Sequence, residues 1–372
     1  MLIVNRKEIF ILLVSTVLAA SCGRVRTAGI DVLPAVGRII SDTSCVEYSI
    51  LDAYQNDRSG TVAVFGPSEK TLMLTDFLVE CDIFDNVDGK IQSDWLPDFA
   101  GETFAVYMDV LNGQYCDFFT SGKEKELREF VVNGAVAAVS SGSYQTVFSS
   151  SPSAAKIPSK IFILSSSFAS LAESDVDTLF SAMGKTLPVI TPVNSLVDKA
   201  LSLSRDGCTA GLWADSDVLA SGVYADAFHR SSIRLGQPVA EYVGFSPESR
   251  GDALSDIISF LEMYALSGTA FPLSVLLIDP LQMSYGASAY KDAVATIMTD
   301  AEYASYRRYL ADGFVVVDAM TAIAEACYRL MRDRDLFTHR ITYPEKVEYT
   351  LVASEEVEVP FKYVEMTGGY VR

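Results

Sequence analysis

The sequence predicts an α/β protein of two lobes, each a parallel sheet covered by helices, with a C-terminal β-hairpin extension. Three observations carry this. Short continuous apolar runs, such as Thr61–Phe65, Lys160–Leu164 and Leu273–Ile278, alternate with longer segments of helical spacing. Strands apolar on both faces belong to parallel sheets covered on both sides. The length, 372 residues, corresponds to two domains of about 150 residues or more. The tail changes period: Val347, Tyr349 and Leu351 alternate with polar residues, as do Val357, Val359 and Phe361, with Ser354-Glu355-Glu356 between. That is a hairpin, and Pro360 places its second strand at an edge.

The first segment reads as an address. Arg6 and Lys7 precede an apolar stretch from Ile9 to Ala20, broken only by Ser15 and Thr16. As a helix it would span about 18 Å, short of a bilayer core of about 30 Å. A basic start, a short apolar core and a small-residue exit describe a secretory signal over residues 1–21. The exit Leu18-Ala19-Ala20-Ser21-Cys22 resembles a bacterial lipobox, with Leu18 one place further from the cysteine than is commonest. Cys22 is thus the expected lipidation site. The mature body is expected in the bacterial envelope, lipid-anchored and facing the periplasm or cell surface.

Residues 22–60 read as a tether, with room for one helix near Val46–Tyr54. Then follow strand 61–65, helix 68–80, strand 103–108 and a charged helix 121–133 stopped by Asn133-Gly134. Strands 135–140 and 160–164, helix 175–183, strand 187–191 and helix 193–204 come next. The second half reads as strand 208–214, helix 217–230, strand 238–243, helix 252–267, strand 273–278, helices within 288–311, strand 314–318 and helix 320–332. In the last helix Ile323, Cys327, Leu330 and Met331 share one stripe.

Charge and composition exclude several functions. The formal charge of −19 disfavours nucleic acid as a partner. The two histidines, His229 and His339, lie far apart, and no Cys-x-x-Cys pair occurs, so neither a metal nor a cofactor is expected. Gly66-Pro67-Ser68-Glu69-Lys70-Thr71 resembles a phosphate loop, but Glu69 stands where a glycine must let backbone amides wrap the anion. Ser141-Gly142-Ser143 lacks the Gly-x-Ser-x-Gly elbow of a serine hydrolase.

One stretch is more specific. Gly211-Leu212-Trp213-Ala214-Asp215-Ser216-Asp217-Val218-Leu219-Ala220-Ser221-Gly222-Val223-Tyr224 resembles, without gaps, the strand–turn–helix opening the second lobe of the aspartate/glutamate racemase family. Gly211, Leu212, Ala214, Ser221, Gly222 and Tyr224 match that pattern; Asp215 and Val218 replace its threonines. Val62–Phe65, Gly134–Thr146, Leu187–Ile190, Ser274–Met283 and Val315–Asp318 follow the family's landmarks in order, covering about residues 60–332. Read from the residues alone, Ser221-Gly222 and Tyr224 would only let a helix pack closely on its sheet.

The resemblance implies two lobes, 61–195 with 314–372 and 196–313, around a cleft. It also implies a cofactor-free chemistry that passes a Cα proton between two thiols. Here the sequence departs from the family. The first thiol loop reads Ser141-Gly142-Ser143-Tyr144-Gln145-Thr146 and the second Ile278-Asp279-Pro280-Leu281, so both catalytic cysteines are missing. The early acid reads Gly66-Pro67 or Pro67-Ser68. The expected site is lined by Ser68, Ser141, Ser143, Gln145, Asp215, Ser216, Asp279 and Gln282. The leading expectation is a non-catalytic protein binding a small polar or anionic molecule or an envelope protein. The alternatives are an isomerase or lyase with Asp279 or Asp215 as base, and a periplasmic solute-binding protein.

Overall fold

The computed structural model describes residues 32–203, 209–236, 241–269, 271–352 and 362–365. The signal segment, Cys22, Cys208 and the expected hairpin strand at 357–361 lie outside the described residues. In chain order the strands are β1 (Thr61–Pro67), β2 (Thr103–Asp109), β3 (Gly142–Ser143), β4 (Ala154–Ala155), β5 (Ser159–Leu164) and β6 (Val189–Ile190). They continue as β7 (Thr209–Trp213), β8 (Glu241–Phe245), β9 (Leu273–Ile278), β10 (Leu310–Asp318), β11 (Glu345–Val352) and β12 (Lys362–Glu365).

The chain divides into two compact units, Ala28–Pro192 with Ile323–Arg372, and Val193–Ala322. The first is built on a six-stranded sheet in the order β12-β11-β2-β1-β5-β6. Every neighbouring pair is parallel except β11 with β12. Antiparallel β12 therefore closes one edge. The second unit holds a four-stranded, all-parallel sheet in the order β10-β9-β7-β8. Buried runs such as Val62–Phe65, Ile161–Leu164 and Val275–Ile278 form the middle of each core, as strands covered on both faces require.

Four expectations are corrected. Residues 135–139 are not a strand: they complete one helix, Glu124–Val139, in which ten residues from Leu127 to Val139 are buried. An apolar run of that length cannot be told from a buried helix by periodicity. Gly134 does not end the helix; it lets the helix approach β1, since a Cβ there would sit 2.2 Å from the Phe65 ring.

The arm is folded. Helices Pro34–Ser41 and Val46–Ala53 bury Val36, Ile39 and Leu51 within the first unit. Arg38 pairs with Glu47 at 2.7 Å, and the Tyr54 hydroxyl donates to the Ser159 carbonyl.

The boundary expected at 314 moves as well. β10 starts at Leu310 and pairs with β9, so the strand belongs to the second unit and the chain leaves that unit only within helix Ala319–Asp333.

Finally, the expected helix 217–230 is two helices, Ser216–Ser221 and Val223–Leu235. Gly222 joins them at φ +74°, with open space around the position of a Cβ. Its role is a left-handed turn, not close packing on the sheet.

Candidate functional site

Open parallel sheets present their functional loops at the carboxyl ends of strands. In the first unit, β1 runs into Gly66-Pro67 and then helix Ser68–Glu80, whose first residue, Ser68, donates to the Asp109 carbonyl at 3.2 Å. β2 ends on Asp109, which is buried. Its carboxylate accepts from the backbone N–H groups of Leu111 and Asn112, each at 3.0 Å, and from Asn112 Nδ2. Asp109 thus holds its own loop in a turn. The buried Tyr115 phenol faces it, its pKa raised first by burial and then by the nearby carboxylate.

β5, which lies beside β1, ends in Ser165-Ser166-Ser167, all buried. The Ser165 hydroxyl donates to the Phe65 carbonyl at 3.2 Å and lies 2.9 Å from Thr71 Oγ1. This approach explains Gly66: a Cβ there would lie 2.3 Å from Ser165 Oγ, and its φ of +151° suits glycine.

Ser141, Ser143 and Gln145 are placed otherwise than expected. They follow helix Glu124–Val139, not the carboxyl end of a parallel strand. Ser143 pairs in the short β3–β4 hairpin, and its buried hydroxyl has no hydrogen-bond partner among the described residues. Ser141 and Gln145 are exposed.

In the second unit, β7 is followed by Asp215 and Ser216, both exposed. Asp215 stands before helix Ser216–Ser221 without a side-chain capping bond. β9 leads into Asp279, which is 6% exposed. The Asp279 N–H donates to the Trp213 carbonyl at 2.9 Å, and its carboxylate accepts the Tyr224 hydroxyl at 2.5 Å. Tyr224 therefore reaches the strand end that sequence order had assigned to Asp279 alone. Gln282 is exposed in the turn Leu281–Met283.

β10 ends on Asp318, buried, accepting from Ser284 Oγ at 2.6 Å and from the Thr321 N–H and hydroxyl at 3.0 and 2.8 Å. It ties the turn after β9 to the helix after β10. Asp109, Ser165–Ser167 and Asp318 were missed from the sequence. Their shared signal is a carboxylate or hydroxyl immediately after an apolar run.

Chemically, a carboxylate that accepts a phenol hydrogen bond can hold an ammonium group or take a proton from a bound molecule. The strand-end segments 66–68, 109–112, 165–167, 214–216, 279–282 and 318 contain no cysteine. Cys81 and Cys327 are buried, and burial raises both thiols well above their ordinary range. Cys45 stands ahead of helix Val46–Ala53, where its sulfur accepts the Tyr48 N–H; Cys116 opens the short helix Cys116–Thr120 after β2. Among the described residues no group of three or more His, Cys, Asp or Glu could hold a metal ion, and no helix is long and apolar enough to cross a membrane.

These elements define an α/β protein of two parallel-sheet units with polar strand ends. No family model and no curated protein matches the chain. Solved structures similar to it include a glutamate racemase isoform from Bacillus anthracis, 11% identical with a TM-score of 0.47, covering 80% of this chain and 90% of that one. Another is a glutamate racemase from Francisella tularensis in complex with D-glutamate, 13% identical with a TM-score of 0.47 and the same coverage, 80% and 90%. A third is an aspartate racemase homologue from Pyrococcus horikoshii, 11% identical with a TM-score of 0.40, covering 73% of this chain and 99% of that one. At these scores the likeness carries no argument about chemistry.

Proposed function

We propose that the chain is an exported lipoprotein, anchored at Cys22 and facing the periplasm or cell surface. It binds a small polar or anionic molecule, or an envelope protein, at the strand ends of a racemase-like scaffold and does not perform two-thiol racemisation. The observation that carries this reading is the make-up of those strand ends, Ser165–Ser167, Asp109, Asp215, Asp279 and Asp318, which offer hydroxyls and carboxylates and no thiol. Passing a proton across a Cα needs a base on one face and an acid on the other. A serine hydroxyl without an activating neighbour is too weak a base to replace a thiolate.

The test is a thermal-shift screen of the mature protein against amino acids, dicarboxylates and sugar acids. A ligand at a hundred times its Kd adds about 2.7 kcal/mol. A raised melting temperature that disappears in Asp279→Asn is the expected result. NMR of the aspartate and glutamate Cα protons in deuterated water should show no catalysed exchange; exchange lost in Cys116→Ser would overturn the reading. Release of the Cys22→Ala body from the membrane fraction is expected, and a variant still acylated and membrane-bound would refute the anchor.

The Tyr224–Asp279 hydrogen bond favours one second reading, an isomerase or lyase of altered chemistry in which Asp279 is the base. Exposed Asp215 is the other candidate base. Exchange lost in Asp279→Asn, with Cys116→Ser unaffected, would select that reading.

A further inference from the structure

The segment between helix Ser68–Glu80 and β2 exposes apolar side chains on a backbone held from within. Trp95 is 91% exposed, Val87 88%, Ile91 60% and Leu96 55%. Aspartates fix the loop beneath them. Asp82 accepts from Ser93 Oγ at 2.6 Å and from the N–H groups of Asp94 and Trp95 at 3.0 Å. Asp94 accepts the N–H groups of Asn86 and Leu96, both at 2.9 Å. Buried Asp98 accepts those of Ile83 and Phe84 at 2.8 and 2.9 Å. Phe84 stacks on Tyr328 with ring centroids 4.2 Å apart, and Arg332 donates to the Asp88 carbonyl at 2.9 Å. Trp95 is held at φ +70°, a conformation that glycine or asparagine would adopt with less strain.

We propose that this loop is a docking surface for a cationic amphipathic segment of a partner protein, one that interleaves apolar residues with Lys or Arg. Exposed apolar groups gathered on one rigid loop are uncommon on a surface that meets only water. Tryptophan is the side chain most often central to binding energy. A loop ordered beforehand loses little conformational freedom on association. Charge selects the occupant. Within residues 82–96, Asp82, Asp85, Asp88 and Asp94 outnumber Lys90, which pairs with Asp88. Arg332 at the Asp88 carbonyl and Arg329 over the Phe84 ring offset part of that charge, and the acidic balance is set by the whole chain, at −19. That field attracts a basic segment and repels both a second copy of the chain and an anionic lipid surface.

The chain has two tryptophans, Trp95 and Trp213, and Trp213 is buried, so Trp213→Phe leaves Trp95 as the only reporter at the loop. The probe is a synthetic helical peptide of Leu and Lys, titrated at physiological salt. The expected result is a saturable blue shift of Trp95 emission, at least tenfold weaker binding in Ile91→Ser and in Val87→Ser, and no binding of the matching Leu/Glu peptide. Calorimetry on the chain with both tryptophans repeats the measurement should Trp213→Phe fold poorly. Undiminished affinity in both serine variants would place the peptide elsewhere on the acidic surface and overturn the proposal. So would equal binding of the Leu/Glu peptide. A blue shift with phosphatidylcholine vesicles but not with the cationic peptide would assign the loop to lipid instead.

Discussion

The two ends of the six-stranded sheet use polar groups in opposite ways. At the amino end, Lys160 of β5 and Glu102, just before β2, are both fully buried and lie 2.6 Å apart. The Lys160 ammonium also donates to the carbonyls of Arg58 and Leu336 at 2.7 Å, and Glu102 accepts the Thr338 N–H at 2.7 Å. These bonds join the segments entering β1 and β2 to the chain after helix Ala319–Asp333. At the carboxyl end, the Asp109 carboxylate is bonded within its own loop, and Ser165 makes neutral hydrogen bonds to Phe65 of β1 and Thr71 of the helix that follows it. Ser170, a few residues on, has a buried hydroxyl with no hydrogen-bond partner among the described residues. One end is locked by matched charge across distant segments. The other is held by neutral hydrogen bonds between elements and by a carboxylate that closes its own turn.

The sharpest way to break this comparison is to unmatch the amino end. Glu102→Ala leaves the Lys160 ammonium buried without its counter-charge and should cost about 3–5 kcal/mol, read as a fall in the urea midpoint. A loss below about 1 kcal/mol would mean that the end is not locked by charge.

A second buried lysine shows what Lys160 would be without Glu102. Lys156 donates to the Ala138 carbonyl at 2.8 Å and lies 5.5 Å from the ring centre of Tyr107 and 5.9 Å from that of Tyr349. Burial lowers its pKa from 10.5 to about 7. The unfolded chain keeps this proton up to the ordinary lysine range, whereas the folded chain releases it above about 7. Between those limits the unfolded state binds more protons, so stability contributed by this group rises with pH, by at most about 1.4 kcal/mol per unit. Lys156→Met should flatten urea midpoints measured from pH 7 to 9 relative to the unaltered chain. Equal slopes would mean that the amine stays charged when folded.

At the carboxyl end, Gly66→Ala forces a Cβ toward Ser165 Oγ at 2.3 Å. The expected cost is about 1–3 kcal/mol, from overpacking and an unfavourable φ. An unchanged melting curve would show that the Ser165 approach yields freely.

How much of this was legible in the sequence depends on where each signal lives. The parallel strands were readable because burial on two faces dictates composition directly, and strand 347–351 because alternation marks one buried face. The expected second strand at 357–361 lies outside the described residues, and β11 pairs with Lys362–Glu365. Helix Glu124–Val139 was not, because an apolar run beside Gly134 fits a strand until Phe65 is seen to fill the space above the glycine. Of the arm's two helices, the one at Val46–Ala53 was legible near Val46–Tyr54, whereas Pro34–Ser41 was hidden because its apolar face is short, Val36 and Ile39. Asp279 was visible as a carboxylate at a strand end. Its partner Tyr224 lies 55 residues earlier, a distance over which spacing says nothing.

That pair supplies the smallest expected effect on stability, and it asks whether the division of labour between sheet ends extends to the four-stranded unit. Tyr224→Phe removes one donor from the Asp279 carboxylate while keeping the ring that packs in the core. The loss should be about 1.5 kcal/mol, the low end for a hydrogen bond to a charged group. If this strand end serves a ligand, the thermal shift given by any ligand found in the screen should fall far more than the stability does, because the carboxylate then loses the phenol hydrogen bond that helps to orient it. Asp279→Asn should remove the shift as well, since a neutral amide cannot balance an ammonium. A Tyr224→Phe protein that melts several kilocalories per mole less stably, yet keeps its full ligand shift, would show the reverse. The phenol would then be a structural brace like the Lys160–Glu102 pair, and the contrast between the two sheet ends would hold in the six-stranded unit only.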